Sequence, residues 1–194
     1  MELSDYHRQY QNQTDIEVLQ KAFEKKQELD LIFSRMALKT KSKQIKVGVL
    51  GCGDVRMVSH HRDIFHDLFN KEIKLITYDI FVDHLQGEKN IFQHDCTLSL
   101  PHRGFDVTYG HVLLKFIETG KQYDVLINSF AALKKGGLTI HIFDREEIEG
   151  KNKNIPRGQY PVPLQIWEDL LDRKKIKWHK ILLQHGLALV LVKE

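Results

Sequence analysis

The stretch that decides the fold is Lys46-Val47-Gly48-Val49-Leu50-Gly51-Cys52-Gly53-Asp54. An apolar run ends in a Gly-x-Gly turn, and a helical pattern begins directly after it. Strands buried on both faces read as such runs, and parallel sheets are made of them. Glycine lets the backbone come close to a ligand, while the unpaired N–H groups opening the next helix favour anionic or polar ligand atoms. Alone the turn is a weak sign, because many strand-to-helix turns simply need glycine.

Working outward, apolar strands alternate with helical patterns. Residues 45–50 form a strand, and a helix over about 55–69 places Met57, His61, Ile64, Phe65 and Leu68 on one side. A second strand covers 73–78 and ends at Asp79, and a short third covers 91–93 and ends near Asp95. The fourth, 105–109, leads into a short helix at about 112–118. A further helix, 122–133, runs through Lys134-Lys135-Gly136-Gly137 into a strand at 138–143. This order predicts an α/β domain with a mostly parallel sheet and helices on both faces. A long loop rich in Gly and Pro spans 144–163, as functional lids often do. After it come a helix at 164–173 and a strand pair, 176–183 and 187–192, joined by Gln184-His185-Gly186.

Upstream, residues 1–38 read as helical. Thr14-Asp15-Ile16-Glu17 fits a capping box, and Leu19, Ala22, Phe23, Leu29, Phe33 and Met36 roughly follow a 3.6-residue period. The predicted division is a helical extension, 1–44, packed on a domain covering 45–194. A chain of 194 residues with 42% hydrophobic and 28% charged content is ordinary for a globular protein. No run is long and apolar enough to span a membrane, and no secretory signal opens the chain, so a cytoplasmic protein without membrane association is expected. Cys52 and Cys96 form no spaced framework and read as reduced thiols. The formal charge is only +3. Basic clusters at Lys39-Lys41-Lys43-Lys46 and Arg173-Lys174-Lys175-Lys177 leave contact with RNA open, although aromatic residues do not interleave them as on a single-strand binding face.

In these motifs the sequence resembles the class I S-adenosylmethionine-dependent methyltransferases over most of 45–193. The resemblance implies a Rossmann-like three-layer sandwich, with a seven-stranded sheet ending in an antiparallel hairpin. It further implies that Gly51, Cys52, Gly53 and Asp54 lie against the methionine part of the cofactor; from their proximity to the turn, not from the resemblance, Asp54 and Arg56 are candidates for its ammonium and carboxylate. Asp79 would take the ribose hydroxyls, with Ile80 beside it, and Asp95 and the Cys96 amide the adenine edge. Leu133-Lys134-Lys135-Gly136-Gly137 matches the family's most specific element. Tyr109 and Gly110 would complete the cofactor site, with His111 and Tyr109 as catalytic groups beside the acceptor. The chain departs from the pattern at Val49, where an acid is usual, and at Val55, where a third glycine is usual. Independently of the resemblance, a carboxylate at a strand end can accept two hydroxyl hydrogen bonds from a ribose, and ligands of open α/β sheets bind in that crevice.

Other readings of the same residues are weaker. A nicotinamide site would need a glycine where Arg56 stands and an acid about 20 residues on, earlier than Asp79. The eleven histidines invite a metal, but His61 shares the apolar face of its helix, so no metal site is expected. The expected function is methyl transfer from S-adenosyl-L-methionine to a small-molecule acceptor. The alternatives are an RNA acceptor, or a catalytically silent domain that binds the cofactor. Tyr6, Tyr10, Arg157, Tyr160 and Trp167 are candidates for the acceptor pocket.

Overall fold

The computed structural model describes residues 12–144 and 158–194. Helix α1 (Asp15–Arg35) is followed by β1 (Gln44–Leu50), α2 (Arg56–Phe69), β2 (Glu72–Asp79), β3 (Ile91–Gln93) and β4 (Phe105–His111). Then come α3 (Thr119–Ala131), β5 (Leu133–Asp144), α4 (Leu164–Arg173), β6 (Lys177–Leu182) and β7 (Gly186–Val192). The strands make one sheet in the order β3-β2-β1-β4-β5-β7-β6. The first five strands run parallel, and β7 is antiparallel to both β5 and β6.

Helices cover both faces, giving three layers. On one face α1 and α2 bury Leu29, Ile32, Met57 and Phe65 against Val47, Val49, Tyr109 and Ile140. On the other, α3 and α4 bury Val125, Leu126, Trp167 and Leu171 against Tyr78, Phe105 and Leu189. Among the described residues, no helix is long and apolar enough to cross a membrane.

Several expected boundaries shift. The short helix expected at 112–118 is a single 3-10 turn, Leu114–Phe116, entered through Val112 at a left-handed φ of 52°. The next helix starts and stops earlier than expected, at Thr119 and Ala131. The fifth strand already begins at Leu133, which pairs with Phe105 before a register shift lets Val107 pair with Leu138. Glycine is needed at that irregularity. Gly136 has φ 81°, and a Cβ on Gly137 would lie 2.9 Å from the Phe105 carbonyl oxygen and 3.0 Å from that of Asp106. Lys134 Nζ, 2.5 Å from Oδ1 of the buried Asp106, fastens the same corner.

The capping box at Thr14 and Glu17 forms as expected, but α1 turns a different face inward. Val18, Ala22, Leu29 and Ile32 are buried, whereas Leu19 and Phe23 are each 56% exposed. Arg56, at the start of α2, grips the first turn of α1 through Asp15, and Phe33 packs on Phe69 at the end of α2, ring centroids 4.9 Å apart. Thus the first half of α1 is held at the level where strands end, and its amphipathic pattern answers to polar groups there as well as to the sheet. Residues 1–11 of the expected helical segment, and 145–157 of the expected loop, lie outside the described residues.

Candidate functional site

The ends of β1, β2 and β3, parallel neighbours in the sheet, lie along one edge of it. Gly51 leaves β1 at φ 77°, donating its N–H to the Tyr78 carbonyl at 2.8 Å. A Cβ there would stand 2.9 Å from Leu113 Cδ1, so only glycine fits without strain. The Cys52 N–H donates to Asp79 Oδ2 at 2.8 Å, and the Phe81 N–H donates to Asp79 Oδ1 at 3.0 Å. Val49, the departure from the usual acid, is a core residue of β1, 1% exposed. The carboxylate that holds the glycine turn comes instead from the end of β2. His84 Nε2 lies 2.7 Å from the Cys52 carbonyl and donates to it.

Around this turn the expected residues divide. Ile80 is 49% exposed beside the buried Asp79. Asp95 is exposed one strand further on. Partial burial pushes its carboxyl up, but hydrogen bonds from the Thr97 hydroxyl and N–H outweigh this and hold it below the ordinary value. Burial pushes the thiols of Cys52 and Cys96 up to about 12, so neither is a nucleophile at neutral pH.

Asp54 and Arg56 are committed to each other. Asp54 Oδ1 accepts the Arg56 N–H at 2.8 Å, capping α2, and Arg56 Nη2 reaches Asp54 Oδ2 at 2.6 Å. The same guanidinium donates to Asp15 Oδ1 at 2.6 Å and to the Gln13 carbonyl at 3.0 Å. The pair expected to take a ligand's ammonium and carboxylate therefore ties α1 to α2. An open groove of about 410 Å³ adjoins this joint, lined by Val18, Leu19, Val55, Arg56 and Ser59 among others, apart from the strand ends.

At the end of β4 the side chains alternate as a strand requires. Tyr109 is fully buried, edge-on to Phe65 and His61 with ring centroids 5.8 Å away in both cases. It is a buried core residue of β4, whereas the expectation made it a catalytic and cofactor-site group. Its hydroxyl and both nitrogens of the buried His61 have no hydrogen-bond partner among the described residues. Gly110 faces the other side, where a Cβ would stand 2.7 Å from His141 Nδ1. His111 Nε2 lies 3.1 Å from Glu28 Oε2 of α1. A neutral imidazole meeting a carboxylate places its proton on that nitrogen, leaving the lone pair on Nδ1. Burial, then the charge of Lys25, lowers the His111 pKa to about 4 despite Glu28, so the ring is neutral at pH 7.

The sequence reading did not find Glu28 or Lys25. Lys21, Lys25 and Glu28 follow an i, i+4, i+7 spacing, one face of a helix, and that spacing was the available signal. Lys25 Nζ lies 5.9 Å from the centre of the Tyr109 ring, and burial lowers its pKa to about 8. Of the residues suggested for an acceptor pocket, Trp167 is a core residue, 6.1 Å from Phe143 between centroids. Tyr160 is 37% exposed, and Tyr6, Tyr10 and Arg157 lie outside the described residues.

No protein-family model and no curated protein matches the sequence. Solved structures do match. A chain of the complex between the Haloferax volcanii Trm112 methyltransferase activator and a putative methyltransferase aligns at TM-score 0.67 and 11% identity, covering 99% of each chain. Magnesium protoporphyrin IX methyltransferase from Synechocystis PCC 6803, with bound S-adenosylhomocysteine, aligns at TM-score 0.61 and 13% identity, over 98% of this chain and 94% of that one. LepI in complex with S-adenosylhomocysteine and a substrate analogue aligns at TM-score 0.61 and 12% identity over 84% of this chain. This chain spans about half the length of LepI, 46%. The fold is that of the class I S-adenosylmethionine-dependent methyltransferases, a Rossmann-like sheet with an antiparallel end.

Proposed function

We propose that this chain binds S-adenosylmethionine in the crevice at the ends of β1, β2 and β3 and methylates a small-molecule acceptor. One observation carries the reading: a glycine turn held by the buried Asp79, with the exposed Ile80 and Asp95 following at the ends of the neighbouring strands. A carboxylate at a strand end is a bidentate acceptor suited to the paired hydroxyls of a ribose. Structures of the same fold carrying S-adenosylhomocysteine, such as the protoporphyrin methyltransferase, support the choice of cofactor.

When bound, the cofactor supplies a methyl group made electrophilic by its sulfonium. Asp79 would hold the ribose, Asp95 and the Cys96 backbone the adenine edge, and the turn at Gly51 to Gly53 the amino-acid part. The chain's own contribution is orientation and proton handling. His111, neutral and held by Glu28, takes a proton from an acceptor hydroxyl, thiol or amine at Nδ1. Helix α1, held by Arg56, keeps water from the crevice. We place this enzyme in the cytoplasm, where Cys52 and Cys96 stay as free thiols.

The test is calorimetric titration with S-adenosylmethionine and S-adenosylhomocysteine, using the wild type and Asp79→Ala. Binding by the wild type, weakened at least about tenfold in the variant, supports the reading. No binding by the wild type overturns it. Methyl transfer to RNA but to no small molecule would replace the acceptor, and binding without any transfer would leave a silent cofactor-binding domain.

A further inference from the structure

We propose that Lys25 is a carboxylate-binding residue of this site and that the methyl acceptor is a small molecule bearing a carboxylate. The inference rests on the reading of the crevice as a methyltransferase site and names its substrate class.

Lys25 sits one turn before Glu28 and on the same face of α1, which carries both across the strand ends. Glu28 reaches His111 at 3.1 Å, and the Lys25 ammonium lies 5.9 Å from the ring centre of Tyr109, two residues earlier on β4. The same ammonium acts electrostatically on Cys52, His61 and His111, so it stands between the glycine turn and the end of β4. A lysine in such surroundings is normally answered by an acid. Here Arg56 has Asp54 and Asp15, Lys115 has Asp144, and Lys134 has Asp106. Among the described residues no carboxylate lies within ion-pair distance of Lys25; Glu28, hydrogen-bonded to His111, acts on it only from further away.

A second observation points to the same place. The Tyr109 hydroxyl and both ring nitrogens of His61, 0% and 3% exposed, are buried without partners beneath Lys25. Buried polar atoms left this way are costly unless a ligand or water completes them. A cation with adjacent donors, beside a base held by Glu28, suits an anionic group on the molecule whose proton His111 removes. A ligand carboxylate could also belong to the amino-acid part of the cofactor. Proximity to Tyr109 and His111 at the end of β4, where the acceptor approaches, favours the acceptor.

The experiment compares wild type, Lys25→Met and Lys25→Arg, each first shown to melt normally. S-adenosylhomocysteine and methylthioadenosine, which lacks the amino-acid part, are titrated into each. A hydroxybenzoate and the matching uncharged hydroxybenzamide are then titrated by NMR, with and without S-adenosylhomocysteine. The expected result is hydroxybenzoate binding at least about tenfold tighter than the amide, lost in Lys25→Met and kept in Lys25→Arg, with S-adenosylhomocysteine affinity unchanged. If Lys25→Met weakens S-adenosylhomocysteine but not methylthioadenosine, the carboxylate is the cofactor's and the acceptor assignment falls. If neither hydroxybenzoate nor S-adenosylhomocysteine distinguishes the variants, Lys25 binds no carboxylate. Failure of the wild type to bind S-adenosylhomocysteine would overturn the methyltransferase reading separately, while the hydroxybenzoate arm still decides Lys25.

Discussion

Asp79 at the end of β2 accepts the backbone N–H of Cys52 at 2.8 Å, so one strand's acid secures the glycine turn of its neighbour. The turn and the crevice depend on one carboxylate. Asp79→Ala should lower stability by about 1–3 kcal/mol, the cost of leaving a buried donor unsatisfied, as well as abolish ligand binding. Asp79→Asn, which keeps one acceptor oxygen, should recover part of the stability. Thermal melts of both variants check this, and equal melting of Asp79→Ala and wild type would refute it.

Removal of Arg56 should be more damaging than its half-exposed position suggests. Burial pushes the Asp54 carboxyl up, but hydrogen bonds and charge from Arg56 hold it below its ordinary value. Arg56→Ala strands that carboxylate and releases Asp15 of α1. The expected loss is about 3 kcal/mol. Adding Asp54→Asn should restore much of it, a coupling that a double-mutant cycle measures directly.

Acidification should destabilise the protein before its carboxylates titrate. Burial holds His111 and His141 near 4 in the folded chain, against an ordinary 6.5. Between these values the unfolded chain binds more protons, so stability is complete above about pH 6.5 and falls as pH drops toward 4. Each histidine contributes up to about 1.4 kcal/mol per pH unit in that window. Melts in the acid range, with His141→Gln flattening the slope, test the sign. NMR titration of His111 should also show its pKa rising in Lys25→Met, because the neighbouring charge is gone.

Gly137→Ala should prevent proper closure of the corner between β4 and β5. Its Cβ would meet three backbone carbonyl oxygens at 2.9 to 3.0 Å, none of which can rotate away. We expect a loss of about 2–4 kcal/mol, within the range of severe single substitutions. Gly120→Ala meets nothing within 4 Å and is the control. Similar melting temperatures for the two would contradict the steric account.

The alternation of apolar runs and helical periods made the sheet legible, because burial on both faces leaves few polar positions in a strand. Lys134-Lys135-Gly136-Gly137 was legible for a reason the structure now supplies, a register shift that excludes any Cβ. Asp79 was visible as a strand-end acid, but not as the clasp of the Cys52 turn, since that bond spans two strands. Tyr109 looked like a site residue because β4 was expected to end at it, whereas the strand runs two residues further, to His111, and keeps Tyr109 within the core. Glu28 was hidden because its partner, His111, lies 83 positions away. In the sequence it reads as one more solvent-facing charge on an amphipathic helix.

Helix α1 works as a ruler. Leu29 and Ile32, both fully buried, fix its rotation, and that rotation decides what Lys21 and Lys25 overlook. Deleting one residue between Lys25 and Leu29 would leave Leu29 and Ile32 in register with the sheet, yet swing both lysines, and with them the buried Val18 and Ala22, by about 100° around the axis. Phasing, independent of composition, thus sets both what the helix buries and what it presents to a ligand.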